Sequence, residues 1–157
     1  MLSERRSLCH EAPNGYDRIV APLPASDTFL SETRLGILTT MASDGTPISV
    51  PVWYEWDGEH ARVFSNSGSA KIRRLQRDPR ASLLVTNVVG EPEYWVALDC
   101  TVAIESEGAI ELAERLAARY WDLRNSERAA AVRHWRENAE TLVLLELTPT
   151  RIRTYGG

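Results

Sequence analysis

The alternation of apolar and polar residues over 35–65 constrains the fold more than any other feature of the chain. Apolar side chains recur at every second position, which is the period of a strand with one buried face. Two turn sequences, Asp44-Gly45 and Asp57-Gly58, divide the segment, and glycine in such a turn adopts a positive φ without steric penalty. The pattern predicts three antiparallel strands joined by tight turns, at 35–41, 48–55 and 61–65.

The rest of the chain adds strands and helices without regular alternation between them. The periodicities predict strands at 81–86, 94–105 and 141–155 and helices at 27–34, 70–77, 109–123 and 126–139. Asp27 is expected to cap the first helix. Because strands dominate and no strand–helix–strand repeat occurs, we expect a mainly β fold with added helices and exclude a doubly wound nucleotide-binding fold.

The length of 157 residues predicts one domain. Residues 1–25 contain three prolines and no sustained period, so we expect an N-terminal arm there, followed by a single domain over 26–157. The first ten residues lack the apolar stretch of a secretory signal, and two cysteines make no disulfide framework. These features predict a protein of the reduced cytoplasm.

Charge and hydropathy exclude two classes of partner. The formal net charge of -4 argues against a general nucleic-acid binder, because such domains present a basic face. No apolar run approaches the roughly 18 residues that cross a bilayer, so no membrane span is expected.

The common motifs of catalysis and metal binding are absent from the sequence. Neither of the glycine-rich phosphate fingerprints occurs, and there is no Gly-x-Ser-x-Gly nucleophile elbow. His10, His60 and His134 are scattered over three regions, without the spacing of zinc ligands. The sequence therefore predicts no metal site and singles out no catalytic side chain.

A strand that ends in small polar residues leads directly into a helix that carries Lys71. This is the single lysine of the chain, beside seventeen arginines. Serine hydroxyls, the unpaired amides of the first helical turn and an ammonium group together form a site suited to an anion such as a phosphate. The alternative is a helix capped by Ser67 or Ser69 and followed by a solvated basic face.

The segment 49–53 has a proline in the middle of a predicted strand. Pro51 cannot donate a ladder hydrogen bond, so this strand is expected at an edge of the sheet. Its free backbone groups would then meet a flat heterocycle, with Trp53 beside the ring. The alternative is that Pro51 only protects the edge against aggregation while Trp53 packs in the core.

Two stretches of sequence carry a resemblance to a known family. They are LGILTTMASDGTPISVPVW at 35–53 and SAKIRRLQRDPR at 69–80. They resemble the pyridoxamine-phosphate-oxidase-like family of flavin-binding split β-barrels, and within it the branch of oxidoreductases that depend on the deazaflavin coenzyme F420. The resemblance covers about residues 30–106. It implies a six-stranded antiparallel split β-barrel, similar to FMN-binding proteins, that forms a homodimer.

The resemblance also implies which residues bind the cofactor. Its phosphate would be held by Ser65, Asn66, Ser69 and Lys71. The three-ring system would lie along Ser49, Val50, Pro51, Val52 and Trp53. Trp95 would reach the site from the second subunit, and Arg74, together with Arg73, would meet the acidic tail of the coenzyme.

The sequence departs from the family pattern at three positions. Arg74 stands where many relatives have asparagine, and Cys100 stands near a position where glycine is usual. FMN-type members tend to carry arginine beside the phosphate lysine, where this chain has Ala70, so the resemblance favours F420 over FMN as the cofactor.

The function implied is transfer of a hydride between coenzyme F420 and a small organic substrate. The absence of an acid–base pair is compatible with this, because the cofactor supplies the chemistry and the protein supplies position. Two alternatives stay open at this point. One is an FMN-binding oxidoreductase on the same barrel, and the other is a non-catalytic protein that binds or carries a flavin or a haem.

Overall fold

A single antiparallel sheet of seven strands dominates the computed structural model, which describes residues 24–156. Its strands are β1 Gly36–Met41, β2 Pro47–Val52, β3 Glu55–Trp56, β4 Ala61–Asn66, β5 Arg80–Thr86, β6 Tyr94–Glu105 and β7 Leu142–Gly156. They are arranged in the order β2-β1-β5-β6-β7-β4-β3. The expected mainly β fold is confirmed, and β2 lies at an edge, as Pro51 predicted.

Within residues 24–156, four helices accompany the sheet. They are α1 Pro24–Ser31, α2 Ala70–Arg77, α3 Ala109–Tyr120 and α4 Ser126–Glu137, and a 3-10 turn at Ala139–Thr141 precedes β7. The longest of them has 12 residues. Across residues 24–156 no helix has the length and apolar character needed to cross a membrane.

The sheet has one strand more than the six expected, because the segment 48–55 is interrupted after Val52. The side chain of Tyr54 is fully buried, and its hydroxyl donates a hydrogen bond to the carbonyl oxygen of Leu30 at 2.8 Å. The chain therefore leaves β1, and Glu55–Trp56 pairs with β4 at the other edge of the sheet. Two residues thus connect opposite edges, which requires the sheet to curl into a half-barrel.

The main core fills the concave side of this curled sheet. Leu38, Leu83, Leu98 and Ile152 lie side by side across β1, β5, β6 and β7, and each is at most 2% exposed. Burial of one such side chain contributes about 1.5–3 kcal/mol. Helix α2 contributes Ile72 and Leu75 to the same core, which fixes the helix at the end of β4.

A second apolar cluster lies between the other face of the sheet and the hairpin formed by α3 and α4. Leu112 and Leu116 of α3 are buried in the same cluster as Leu142 and Leu144 of β7. Helix α4 begins after Asn125, whose side chain accepts hydrogen bonds from two amides of the first turn. This packing places the end of α3 and the last turns of α4 next to the crossing, which is the two-residue link between β2 and β3.

The first helix differs from its prediction at both ends. It starts at Pro24 and ends at Ser31, so Asp27 lies inside the first turn and is not the cap. Its Oδ1 instead accepts a hydrogen bond from the indole nitrogen of the buried Trp56 at 2.6 Å. Residues 1–23 of the expected N-terminal arm, Cys9 among them, lie outside the described residues.

Candidate functional site

A cavity of about 460 Å³ opens beside the crossing between the two edges of the sheet. It is lined by Leu35, Pro51, Val52, Trp53, Val63, Phe64, Lys71, Trp121 and Trp135. Strand β2 supplies one wall, β4 the floor, and the α3–α4 hairpin the opposite wall. Eight of the nine side chains are apolar or aromatic, and the ninth is the single lysine of the chain. Such a cavity suits a ligand with a flat apolar body and one anionic group.

Aromatic rings form most of the wall. The rings of Trp121 and Trp135 lie 5.5 Å apart and only 21° from parallel. Trp53 contacts Trp121 edge to face at 4.7 Å, and Phe64 contacts Trp135 at 5.2 Å. Each ring is thus held by others from a different element, so the wall presents π surfaces in fixed positions.

Tyr120 supports this wall from behind. Burial raises the pKa of its phenol, and its hydroxyl donates a hydrogen bond to the carbonyl oxygen of Arg34 at 2.6 Å. The phenol proton is therefore engaged and is not available to a ligand. Among the described residues that line the cavity, Lys71 alone is titratable.

Lys71 is the one charged residue among the described residues that line the cavity. Its side chain is half-buried and makes no hydrogen bond or ion pair with any residue of 24–156. Burial lowers the pKa of its ammonium group, and the nearby charge of Arg74 lowers it further. A cation in this state gains from an anionic ligand, which would replace lost hydration and offset the charge of Arg74.

The start of α2 adds unpaired donors beside Lys71. The amides of Ala70, Lys71 and Ile72 have no acceptor in the described part of the chain, since the first intrahelical bond runs from Arg73 to Ser69. Ser69 occupies the cap position but makes no capping bond. Its hydroxyl lies 3.1 Å from that of the buried Ser65. Residues 65–72, at the end of β4 and the start of α2, therefore carry two hydroxyls, three unpaired amides and an ammonium group, the combination expected of an anion site.

The remaining polar residues near α2 have partners within the protein. The side-chain oxygen of Asn66 accepts from the Gly68 amide at 2.9 Å and shapes the turn, and Arg73 donates to the Gly68 carbonyl oxygen. Arg74 donates through Nε to the hydroxyl of Thr40 at 2.8 Å, which ties α2 to β1. Part of each arginine is thus committed to structure, and the role predicted for Arg74 in binding a coenzyme tail stays a prediction.

The cavity brings together some of the predicted site residues and leaves others apart. Pro51, Val52, Trp53 and Lys71 line it. Ser65 and Asn66 end β4, and Ser69 lies in the turn before α2, but none of the three is among the lining residues. The hydroxyl of Ser49 instead contacts that of Thr39 across the strand pair at 2.8 Å, and Val50 packs against the main core. Trp95 stacks on Tyr155 at 6.2 Å, on the face of the sheet that faces away from the main core. Its predicted role from a second subunit stays a prediction.

Sequence reasoning missed the two tryptophans of the hairpin. Trp121 follows the last turn of α3 and lies off the apolar stripe by which that helix was predicted, while Trp135 lies in a largely polar helix. The sequence did contain one indication: each tryptophan lies outside the buried stripe of its helix. A large aromatic residue in such a position is expected to contact another part of the protein or a ligand.

Comparison with known proteins identifies relatives of this chain. The family described as pyridoxamine 5'-phosphate oxidase matches residues 23–156. An F420H(2)-dependent biliverdin reductase from Mycobacterium tuberculosis is 34% identical over 108 residues, which are 66% of this chain and 76% of that protein.

Two solved structures share the fold. One, named F420 Reductase, superimposes with a TM-score of 0.65 at 21% identity and covers 90% of this chain and 98% of its own. The other, a conserved hypothetical protein from Mycobacterium tuberculosis, has a TM-score of 0.69 at 23% identity and covers 89% of each chain.

Proposed function

Because the chain belongs to the pyridoxamine 5'-phosphate oxidase family, we propose that it is a cytoplasmic oxidoreductase that transfers a hydride between coenzyme F420 and a small organic substrate. The observation that carries the proposal is a cavity with aromatic walls and a half-buried Lys71 that has no partner among residues 24–156. A phosphorylated planar group fits both ends of such a site, since its charge meets the ammonium and its rings meet the π surfaces.

The residues of this chain bind and position the coenzyme. Lys71, the hydroxyls of Ser65 and Ser69 and the free amides of α2 hold its phosphate. The edge strand at Pro51, Val52 and Trp53 carries its ring system. When bound, the coenzyme supplies the hydride chemistry.

The aromatic wall excludes water from the reacting face and fixes the distance to the substrate, and orientation of this kind lowers a barrier by several kcal/mol. Since Lys71 is the titratable group among the described lining residues and is held at the phosphate, the proposal assigns no proton transfer to a side chain.

Two observations favour F420 over FMN. The mycobacterial relative, which is more than 30% identical, is named for its dependence on F420H(2). Ala70 stands beside the phosphate lysine, at the position where FMN-type relatives tend to carry arginine. The biliverdin named for the relative belongs to that protein, and for this chain the proposal extends only to a small organic substrate.

We further propose that the protein is a homodimer. The face of the sheet that is turned away from the main core exposes apolar side chains on β5, β6 and β7, among them Leu84 at 36% and Tyr155 at 52%, with Trp95 stacked on Tyr155. Such a surface is typical of an interface between copies. In the dimer, Trp95 would reach the cavity of the other subunit.

Titration of the purified protein with F420 and with FMN tests the cofactor. Three tryptophans line the cavity, so binding of either ring system quenches tryptophan fluorescence. We expect tighter binding of F420. Tighter binding of FMN would instead identify an FMN-dependent oxidoreductase.

Turnover separates an enzyme from a carrier. We expect the bound, reduced coenzyme to be oxidised by at least one member of a broad panel of organic electrophiles. A complex that none of them oxidises would identify a protein that binds or carries a flavin or a haem without catalysis.

A further inference from the structure

Arg128 and Trp135 lie on the same face of α4. They are seven residues apart, which is two helical turns and about 10 Å along the axis. Trp135 lines the cavity, and the guanidinium carbon of Arg128 lies 5.9 Å from the ring of Trp121, which also lines it. A flat ligand that extends from the cavity along α4 therefore meets the indoles first and this guanidinium next.

The guanidinium of Arg128 has no acceptor within residues 24–156. Neighbouring arginines are engaged: Arg124 forms an ion pair with Asp122 at 2.8 Å, and Arg136 forms one with Glu114 at 2.7 Å. Arg128 donates a hydrogen bond through its backbone amide, to the side chain of Asn125, and none through its guanidinium within the described residues. The charge of Arg128 is felt by Asp122, whose carboxylate is hydrogen-bonded to Arg124, so the guanidinium donors beside Trp121 are exposed and can bind an external anion.

The three indoles of the cavity also keep free donors. The indole nitrogens of Trp53, Trp121 and Trp135 have no hydrogen-bond acceptor in the described part of the chain. Trp56, in contrast, donates to Asp27. No carboxylate, amide or hydroxyl side chain is among the described lining residues. The wall therefore offers π surfaces and donors, and it suits a ligand that brings acceptors and negative charge.

We propose that the substrate is a planar, conjugated compound that bears a carboxylate, and that Arg128 is the residue that selects for this carboxylate. The proposal rests on the proposed function and deepens it. The conjugated part of the substrate lies against the indoles of Trp121 and Trp135, its carbonyl or imine atoms accept from free indole nitrogens, and its carboxylate reaches Arg128 at the mouth of the cavity.

The reaction balances without an acid from the protein. The substrate gains a hydride at an electrophilic carbon of its conjugated system, and the displaced electron pair moves to the heteroatom at the other end of that system. That heteroatom then takes a proton from water. The bound coenzyme would supply the hydride and would release one proton to solvent, which neutralises the hydroxide left behind. Conjugation is needed because it spreads the negative charge until the proton arrives.

Paired ligands that differ only in charge test the inference. Biliverdin, the compound named for the mycobacterial relative, carries carboxylates on a conjugated framework, and its dimethyl ester lacks the charges. Calorimetric titration of the full-length protein, with and without saturating F420, gives the affinity of both forms. We expect wild-type protein to bind the acid about fivefold to tenfold more tightly than the ester, between the values of an exposed ion pair and a charge-assisted hydrogen bond.

Arg128→Gln should abolish this preference, while Arg133→Gln, which removes another exposed arginine of α4, should keep it. The inference is overturned if wild-type protein binds the ester as tightly as the acid, if Arg128→Gln keeps the preference, or if neither form binds. The affinity for F420 is measured on each protein. Failure of F420 to bind wild-type protein would overturn the proposed function, whereas F420 binding without a carboxylate preference would overturn this inference alone.

Discussion

The rings of Trp53 and Tyr120 stack with centroids 5.2 Å apart and planes 6° from parallel. Trp53 belongs to the crossing between the two edges of the sheet, and Tyr120 ends α3. The stack therefore joins the wall formed by β2 to the wall formed by the helical hairpin. Its position depends on the hydroxyl of Tyr120, which donates to the carbonyl oxygen of Arg34.

Tyr120→Phe should lower the free energy of unfolding by about 1 kcal/mol, the usual net value of one hydrogen bond, while the stack with Trp53 is retained. Urea denaturation measures the change. Ser43→Ala, which removes an exposed hydroxyl from the turn between β1 and β2, serves as the control and should leave stability unchanged. Equal stability of Tyr120→Phe and wild-type protein would show that the hydroxyl does not position the ring.

Lys71→Ala should weaken binding of the coenzyme by about 1.5–3 kcal/mol, because it removes a charge-assisted contact from the phosphate. Isothermal titration gives the affinity. Arg133→Ala removes an exposed cation from α4 and should bind as wild-type protein does. If Lys71→Ala binds with unchanged affinity, Lys71 belongs to a solvated helix face and the anion site lies elsewhere.

Coenzyme binding should weaken as the pH rises through the alkaline range. The pKa of Lys71 in the free protein lies below its ordinary value of 10.5, so the cation that binds the phosphate is lost earlier than for an exposed lysine. The phosphate itself does not change charge above pH 8. Lys71→Arg, whose guanidinium stays charged, should remove this dependence, and a matching loss of affinity in that variant would contradict the assignment.

Asp27→Ala should lower the free energy of unfolding by about 1–3 kcal/mol, because it leaves the indole nitrogen of the buried Trp56 without an acceptor. Asp27→Asn keeps an oxygen acceptor of the same size and should lose less. Chemical denaturation of both variants gives the comparison. The interpretation fails if alanine and asparagine have the same effect.

Leu84→Asp should convert the proposed dimer into a monomer, because it places a charge on the apolar face of the sheet. Leu123→Asp is a matched control: the two leucines are 36% and 37% exposed, but Leu123 lies in the loop between α3 and α4. Sedimentation velocity at micromolar concentration distinguishes the two states. A monomeric wild-type protein, or a dimer that survives Leu84→Asp, would exclude this face as the interface.

Local patterns predicted the strands and the strand–turn–helix unit that carries Lys71, because both depend on residues that are neighbours in the sequence. The turn glycines Gly45 and Gly58 adopt φ values of 85° and 99°, and the segment before Lys71 forms the expected strand–turn–helix unit. The strand break at Tyr54 was not predictable in this way, since it depends on a carbonyl oxygen of Leu30 in the first helix.

The aromatic wall depends even more on distant parts of the chain. Trp121 and Trp135 come from two helices and meet Trp53 and Phe64 only after α3 has packed on β4 and β7. The period of α3 correctly placed Leu112 and Leu116 in the interior but gave no information about the residue that follows its last turn. Contacts that form only through tertiary packing therefore cannot be predicted from local sequence patterns.

The two-residue link between β2 and β3 has a mechanical consequence. Trp53 lies on this link, so a force on its indole acts on both edges of the sheet. Each edge is held by the hydrogen bonds of its own strand pair, β2 with β1 and β3 with β4. The link therefore resists displacement, and this wall of the cavity stays in place when a ligand binds. Differences in ligand thickness must then be taken up on the other side, by a tilt of the α3–α4 hairpin.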